Sequence, residues 1–211
     1  MNEDKLAIEF FSHRDNLQLG LTIAEQMDGI RVQINNLLWQ ELSARIDALI
    51  KRNGLPWKAG ITEHKGAHNC LVGVYCTPVD QQALYLHPMM EQQFLGDEWR
   101  IYAGLMWSAT PRPGVLKLPE IQNLGSAMLN SGYKSSDNFF AWRWTTSYPR
   151  RKEFLLRYSR QPETALEELE KIFNELLIEH GEAIRTANAT LQNSAQSLTA
   201  TLNQLRNELI D

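Results

Sequence analysis

The chain has 211 residues, 43% of them hydrophobic and 22% charged, with 21 Lys and Arg against 25 Asp and Glu for a net charge of −4. Six Trp, six Tyr and seven Phe exclude a disordered chain, and two Cys exclude a disulfide-dense secreted scaffold. The charge excludes a globally basic nucleic-acid binder but leaves room for a local patch.

In chain order, Ala7-Ile8-Glu9-Phe10-Phe11 reads as a short strand. A helix is expected over Thr22 to Lys51, because Ile30, Ile34, Leu37, Leu38, Leu42, Ile46, Leu49 and Ile50 recur at the helical period. Gly29 marks its start or a kink, and Asn53-Gly54 followed by Pro56 ends it. Strands follow at Trp57 to Thr62, Leu71 to Cys76, Ala83 to His87 and Trp99 to Trp107, the last with large residues on both faces as in a central strand. Pro119 opens a helix with Ile121, Leu124, Met128 and Leu129 inside, stopped by Gly132. Phe139 to Trp144 is a last strand, Arg150 to Ser159 an amphipathic helix, and Thr164-Ala165-Leu166-Glu167 a capping box opening another helix. This order does not alternate strand and helix. It predicts an α+β fold with a mostly antiparallel sheet and helices on one face.

Thr186 to Leu205 contains no charged residue, which divides the chain into a globular body, 1–180, and a helical tail, 181–211. Ile184, Leu191, Leu198 and Leu205 recur every seven residues, each followed four later by Asn188, Ala195, Leu202 and Leu209. That is a heptad seam, with Asn188 as a register-fixing polar position. Such a seam frays, folds back on its own body, or pairs with another chain. With e and g charges confined to Arg185, Arg206 and Glu208, a homo-oligomer is favoured over a selective partner.

Three groupings bear on chemistry. Glu63-His64-Lys65 has the Glu-x-Lys spacing with which PD-(D/E)XK nucleases place a metal ligand and a phosphate-facing Lys, yet no Pro-Asp precedes it and Asp47 falls on a helix. The competing reading is a solvated turn. His64, His68, Cys70 and Cys76 offer soft zinc ligands, but side chains six apart on a strand lie roughly 20 Å from each other. No metal or cofactor is therefore expected. His13, His87 and His180 are isolated, and there is no phosphate-binding loop, nucleophile elbow or His-Glu-x-x-His motif. Arg143, Arg150, Arg151, Lys152, Arg157 and Arg160 gather beside Trp142, Trp144, Tyr148 and Tyr158. Cations among aromatic rings suit a phosphate backbone with stackable bases; the alternative is a solvated helix face over buried Trp.

Asn35-Asn36-Leu37-Leu38-Trp39-Gln40-Glu41-Leu42, Trp99-Arg100-Ile101-Tyr102-Ala103-Gly104-Leu105 and Gly132-Tyr133-Lys134-Ser135-Ser136-Asp137-Asn138-Phe139-Phe140-Ala141-Trp142-Arg143-Trp144, spread over roughly residues 30 to 178, resemble the region downstream of the catalytic core in bacterial PD-(D/E)XK-superfamily nucleases of the restriction and phage-defence type. No catalytic half precedes them here. The resemblance implies a stand-alone accessory domain and carries over no catalytic residues.

The sequence thus predicts an interaction module that associates through its C-terminal helix and touches nucleic acid near Trp142 to Arg160. A small metal-dependent nuclease using Glu63 and Lys65, and a purely structural oligomerisation protein, are the alternatives. No run approaches the ~18 apolar residues of a membrane span, and the acidic start Met1-Asn2-Glu3-Asp4-Lys5 lacks a signal-peptide pattern. A cytoplasmic location without membrane contact is expected.

Overall fold

The computed structural model describes residues 3–64, 69–79, 86–93, 99–108, 111 and 114–194. Among these residues the fold is α+β, with a five-stranded, wholly antiparallel sheet and six α-helices.

The chain begins with helix α1, Glu3–Ser12, so Ala7 to Phe11 is helical and not a strand. Glu3 and Asp4 lie in its first turn, where they complement the positive end of the helix dipole, and Ala7-Ile8 lacks the apolar–polar alternation of a half-buried strand. Helix α2, Leu17–Arg52, starts five residues earlier than the stripe predicts and runs through Gly29. Gly20 explains the earlier start, because a Cβ there would come 3.1 Å from the Phe11 side chain, marking where α1 folds back on α2. At the other end the Asn53 backbone and side-chain amides both donate to the Leu49 carbonyl, and Gly54 turns the chain at φ +57°.

The strands are β1, Trp57–Glu63; β2, Leu71–Pro78; β3, Leu86–Gln92; β4, Ile101–Trp107; and β5, Phe139–Trp144, paired in that order. Pro88, expected to close the third strand, lies inside it opposite Leu105. It costs no ladder bond: β2 pairs with β3 only from Met89 to Glu91, so Pro88 sits beyond that pairing and needs no N–H. The fourth strand starts two residues later than predicted. Trp99 takes φ +49°, a conformation rare for a bulky residue, and ends the extended run.

One face of the sheet carries Trp57, Val74, Cys76, Leu86, Met90, Ile101, Ala103, Leu105 and Trp107 and packs on the helices. Leu38, Trp39, Leu42, Ile46 and Leu49 of α2 cross it, with the Trp39 indole N–H donating to Gln92 Oε1 at 3.0 Å. Helix α3, Pro119–Asn130; α4, Lys152–Arg160; and α5, Pro162–Asn174, complete the layer. Helix α5 begins at Pro162, two residues before the expected capping box: proline is pre-set for a first helical position, and Thr164 falls inside the first turn. Arg45 of α2 ties to α5 through Glu163 and Glu170, and both carboxylates raise its pKa.

A π-helical turn, Glu175–Glu179, leads from α5 into helix α6, Gly181–Asn193. Ile184, Ala187 and Leu191 are in the same core, and Asn188 is buried against β3. Three of the eight seam positions, Ile184, Asn188 and Leu191, thus pack within the chain. Ala195, Leu198, Leu202, Leu205 and Leu209 lie outside the described residues. Among the described residues no helix is long and apolar enough to cross a membrane.

Candidate nucleic-acid interface

Glu63 closes β1 at a bulge, where Thr62 pairs with Gly73 but Glu63 pairs with Leu71, leaving Val72 without an opposite residue. Lys65 and His68 lie outside the described residues. The His64 amide donates to the Cys70 carbonyl at 2.8 Å and closes the turn. The extra residue also corrects the expectation for the two thiols. A bulge reverses the alternation of side chains, so Cys70 and Val72 pack with Trp99 in a small separate cluster while Cys76 enters the main core. Burial, helped by the charge of Asp47, pushes the Cys76 thiol well up, and burial raises Cys70. Neither is poised as a thiolate ligand. Among the described residues no three His, Cys, Asp or Glu side chains converge on one point.

The cations of the predicted basic cluster are largely engaged inside the chain. Arg143 makes a two-pronged ion pair with Glu175, at 2.6 and 3.2 Å, donates to the Ser131 carbonyl and lies over the Tyr133 ring. Arg150 pairs with Asp28 at 2.9 Å and covers Trp99; Arg157 pairs with Glu168 at 2.9 Å; Lys152 reaches Asp4 at 3.6 Å. Arg151 stacks on Tyr148. These contacts join α4 and the residues just before it to α1, α2 and α5. The predicted patch is in large part the seam that holds these helices together.

The sheet face away from the helices brings together a different set. Tyr102 lies opposite Trp144, and Gly104 opposite Trp142. A second bulge, between Leu105 and Met106, leaves Phe140 without an opposite residue. Phe140 turns to the core, edge-on to Trp107, and Phe139 joins Trp142 and Trp144. Neighbouring rings meet edge to face: Tyr102 with Phe139 at 5.6 Å and with Trp144 at 5.7 Å, and Trp142 with Trp144 at 5.4 Å. Such edge-to-face geometry is the favoured one for paired aromatic quadrupoles. All four rings are half-buried, so each keeps an exposed portion.

Two cations top this row. Lys134, bonded through its backbone to Trp142 in an antiparallel bridge, holds its ammonium 4.7 Å from the centre of the Trp142 ring. Arg100 lies between Trp144 and Tyr148, 4.8 and 5.2 Å from the ring centres, and donates to the Thr145 carbonyl. Neither Lys134 nor Arg100 is ion-paired to a carboxylate among the described residues, which separates them from the cations of the helix seam. The Trp142 indole N–H is covered and makes no hydrogen bond. Beside the row, a groove of about 710 Å³ opens between α3 and the Tyr133–Phe139 loop, sharing Lys134 and Phe139 with it.

Arg100, Tyr102, Lys134 and Phe139 were not among the residues expected from sequence. Period-two spacing from Arg100 to Tyr102 carried a signal for the first two; Lys134 is placed only by its bridge to Trp142. A second unforeseen pair is Ser131 Oγ and His180 Nε2, 3.1 Å apart. It lacks an oxyanion hole, because the amides of Ser131, Gly132 and Tyr133 all donate to carbonyls at the end of α3. The C-terminus of a helix also presents negative charge, which favours a cation and opposes an oxyanion. The pair ties the end of α3 to the π-helical turn. In comparison with known proteins, no family model, no curated protein and no solved structure matches this chain.

Proposed function

We propose that the protein is a non-catalytic binding module that holds single-stranded nucleic acid on the outer face of β4 and β5. Bases stack on Trp142, Trp144 and Phe139, and phosphates meet Lys134 and Arg100. The observation that supports this most is the placing of two cations, without carboxylate partners among the described residues, directly on a row of half-exposed tryptophans. Stacking on an aromatic ring contributes about 1–3 kcal/mol per base and is indifferent to sequence. A base displacing Lys134 from the Trp142 ring leaves the ammonium free for the adjacent phosphate. The carboxylate of Glu91, which accepts the Tyr102 hydroxyl at 3.0 Å, repels phosphates from the far side of the row and so directs the backbone along Lys134 and Arg100.

In the setting implied by the sequence resemblance, such a module accompanies a nuclease of a restriction or phage-defence system. Association through the C-terminal segment belongs to the same proposal in narrower form, resting on Ala195, Leu198, Leu202, Leu205 and Leu209.

Fluorescence anisotropy with a labelled oligo-dT strand tests the reading. Affinity is expected to fall with salt, with a slope in log–log form near −1.4 for two phosphate contacts. Trp142→Ala with Trp144→Ala should weaken binding about tenfold or more, and Lys134→Ala should flatten the slope. Binding that is absent, insensitive to salt, or unchanged in the double Trp variant refutes it.

A further inference from the structure

The aromatic row ends at a groove that stacking alone leaves unused. Phe139, its ring centre 6.4 Å from that of Trp142, is both the last ring of the row and part of the groove wall. Lys134, over the Trp142 ring, likewise belongs to both. At about 710 Å³ the groove falls within the range of small-ligand sites. Among its lining residues Phe140 and Met128 are buried, while Leu116 and Leu129 are 48% and 67% exposed. Its charged lining residues are Lys134 and Asp137, and Asp137 makes no ion pair or side-chain hydrogen bond among the described residues.

Gly125 gives the groove its room. It lies in the interior of α3, where glycine is a poorer helix former than any residue but proline. Packing does not demand it: among the described residues an added Cβ would meet only Phe140 Cζ, at 3.5 Å, an ordinary contact. The helix is therefore weakened at a position where a longer side chain would enter the groove. Departures of this kind from local preference gather at functional sites.

We infer that the groove takes one unstacked base of the strand held on the row, and that the base it favours is guanine. The inference rests on the single-strand reading and adds to it a choice of base. Stacking on Phe139, Trp142 and Trp144 is indifferent to sequence, so selectivity has to come from hydrogen bonds to a base edge. A strand lying along the row brings its next nucleotide to the groove, where Lys134 meets the phosphate and the apolar walls cover the faces of the base. The base edge then meets Asp137. An ionised carboxylate only accepts hydrogen bonds, through two oxygens side by side. The Watson–Crick edge of guanine offers two adjacent donors, N1–H and N2–H. Adenine and cytosine set an acceptor beside their amino group, and thymine flanks its N3–H with two carbonyls, so each turns a lone pair toward the carboxylate. An apolar peptide, the other common occupant of such a groove, would leave the Asp137 carboxylate facing apolar side chains.

Anisotropy on the full chain with two labelled strands, oligo-dT and the same strand with one central dT replaced by dG, tests this. The dG strand is expected to bind about tenfold more tightly, with the same salt slope because no phosphate contact is added. Deoxyinosine at that position lacks the 2-amino group and should lose most of the gain. Gly125→Leu, which fills the groove from α3, and Asp137→Asn, which sets an amide donor against guanine's donors, should each abolish the gain while binding oligo-dT at least as tightly as the wild type. That retained binding reports that the variants are folded, and Asp137 is exposed, so its substitution carries the test even where the leucine disturbs the fold. Equal affinity of the wild type for the two strands overturns this inference and leaves the single-strand reading in place; binding of neither strand removes both. A gain that survives both substitutions, or that deoxyinosine keeps in full, also overturns it. So does a gain that appears only after removal of residues 195–211, because that segment is then the occupant in the full chain.

Discussion

Replacing Asn188 with alanine is expected to destabilise the body by about 2–6 kcal/mol. Asn188 lies on α6 and is 1% exposed. Its Oδ1 accepts the Leu86 amide at 2.8 Å, and its Nδ2 donates to the Leu86 carbonyl at 2.9 Å. Leu86 opens β3, and β2 pairs with β3 only from Met89 to Glu91, so among the described residues no strand reaches Leu86 on that side. The carboxamide supplies the two hydrogen bonds that a neighbouring strand otherwise would. Alanine leaves a buried donor and a buried acceptor, each costing about 1–3 kcal/mol. For a body of this size that lowers the melting temperature by roughly 5–15 °C. Asn188→Leu should be no better, since it restores volume but no bond. Asn188→Asp should be at least as damaging, because its carboxylate faces the Leu86 carbonyl in a buried site. Urea denaturation of the four proteins, followed by tryptophan fluorescence, measures the differences. An alanine variant within 0.5 kcal/mol of wild type would refute the argument. A loss of stability that scaled with protein concentration would show that Asn188 acts between chains.

Gly104→Ala is expected to cost about 3 kcal/mol, because the added Cβ would lie 2.0 Å from the Ala141 carbonyl oxygen on β5; a denaturation midpoint equal to wild type would contradict the close approach of the strands. Burial pushes the hydroxyls of Tyr133 and Tyr158 well above the ordinary tyrosine range, with Glu41, hydrogen-bonded to Tyr158, adding to its shift. Since the folded values are raised, their contribution to stability is complete below the unfolded value near 10 and is lost as pH rises beyond it. The unfolding midpoint should therefore fall above about pH 10, less steeply in the Tyr133→Phe, Tyr158→Phe variant, and a midpoint constant to pH 11 in the wild type would remove the argument.

The elements legible in the sequence were those whose periodicity arises from one dominant face. The stripe of α2 from Leu38 to Ile50 marks a surface packed against a single neighbour, so pattern and burial coincide. Where a residue's conformation is decided from a distance, local pattern misleads. Ala7 to Phe11 has strand-forming side chains, but only its approach to Gly20 makes it the returning arm of a hairpin. Pro88 reads as a strand end because its missing N–H normally breaks a ladder, and only the early end of the β2 pairing makes it harmless. Each bulge shifts the faces by one residue, which sends Cys70 away from Cys76 and turns Phe140 inward. Asn188 shows the same limit in a helix. A lone Asn in an apolar seam satisfies the pattern of a register-fixing position between helices, and also that of a cap on an incomplete strand, and the heptad alone does not distinguish them.

The candidate site was half legible for a related reason. The sequence places Trp142 and Trp144 on one face of a strand, since they alternate with Arg143 whatever the partner strand. It gathers cations by closeness in sequence, which takes no account of competition for them. Arg143, Arg150 and Arg157 find carboxylates 32, 122 and 11 residues away, and an arginine held in a half-buried ion pair gives up that pair before it serves a phosphate. Lys134 and Arg100 come from separate parts of the chain, and each has a ring where the others have a carboxylate. Lys134, exposed and held by one ring, is fixed by no more than about 1 kcal/mol, comparable to the contribution of a single stacked base. On the proposed reading, what marks a residue for a ligand is the weakness of what already holds it, and that is read from where the acidic side chains lie in three dimensions and not from the sequence.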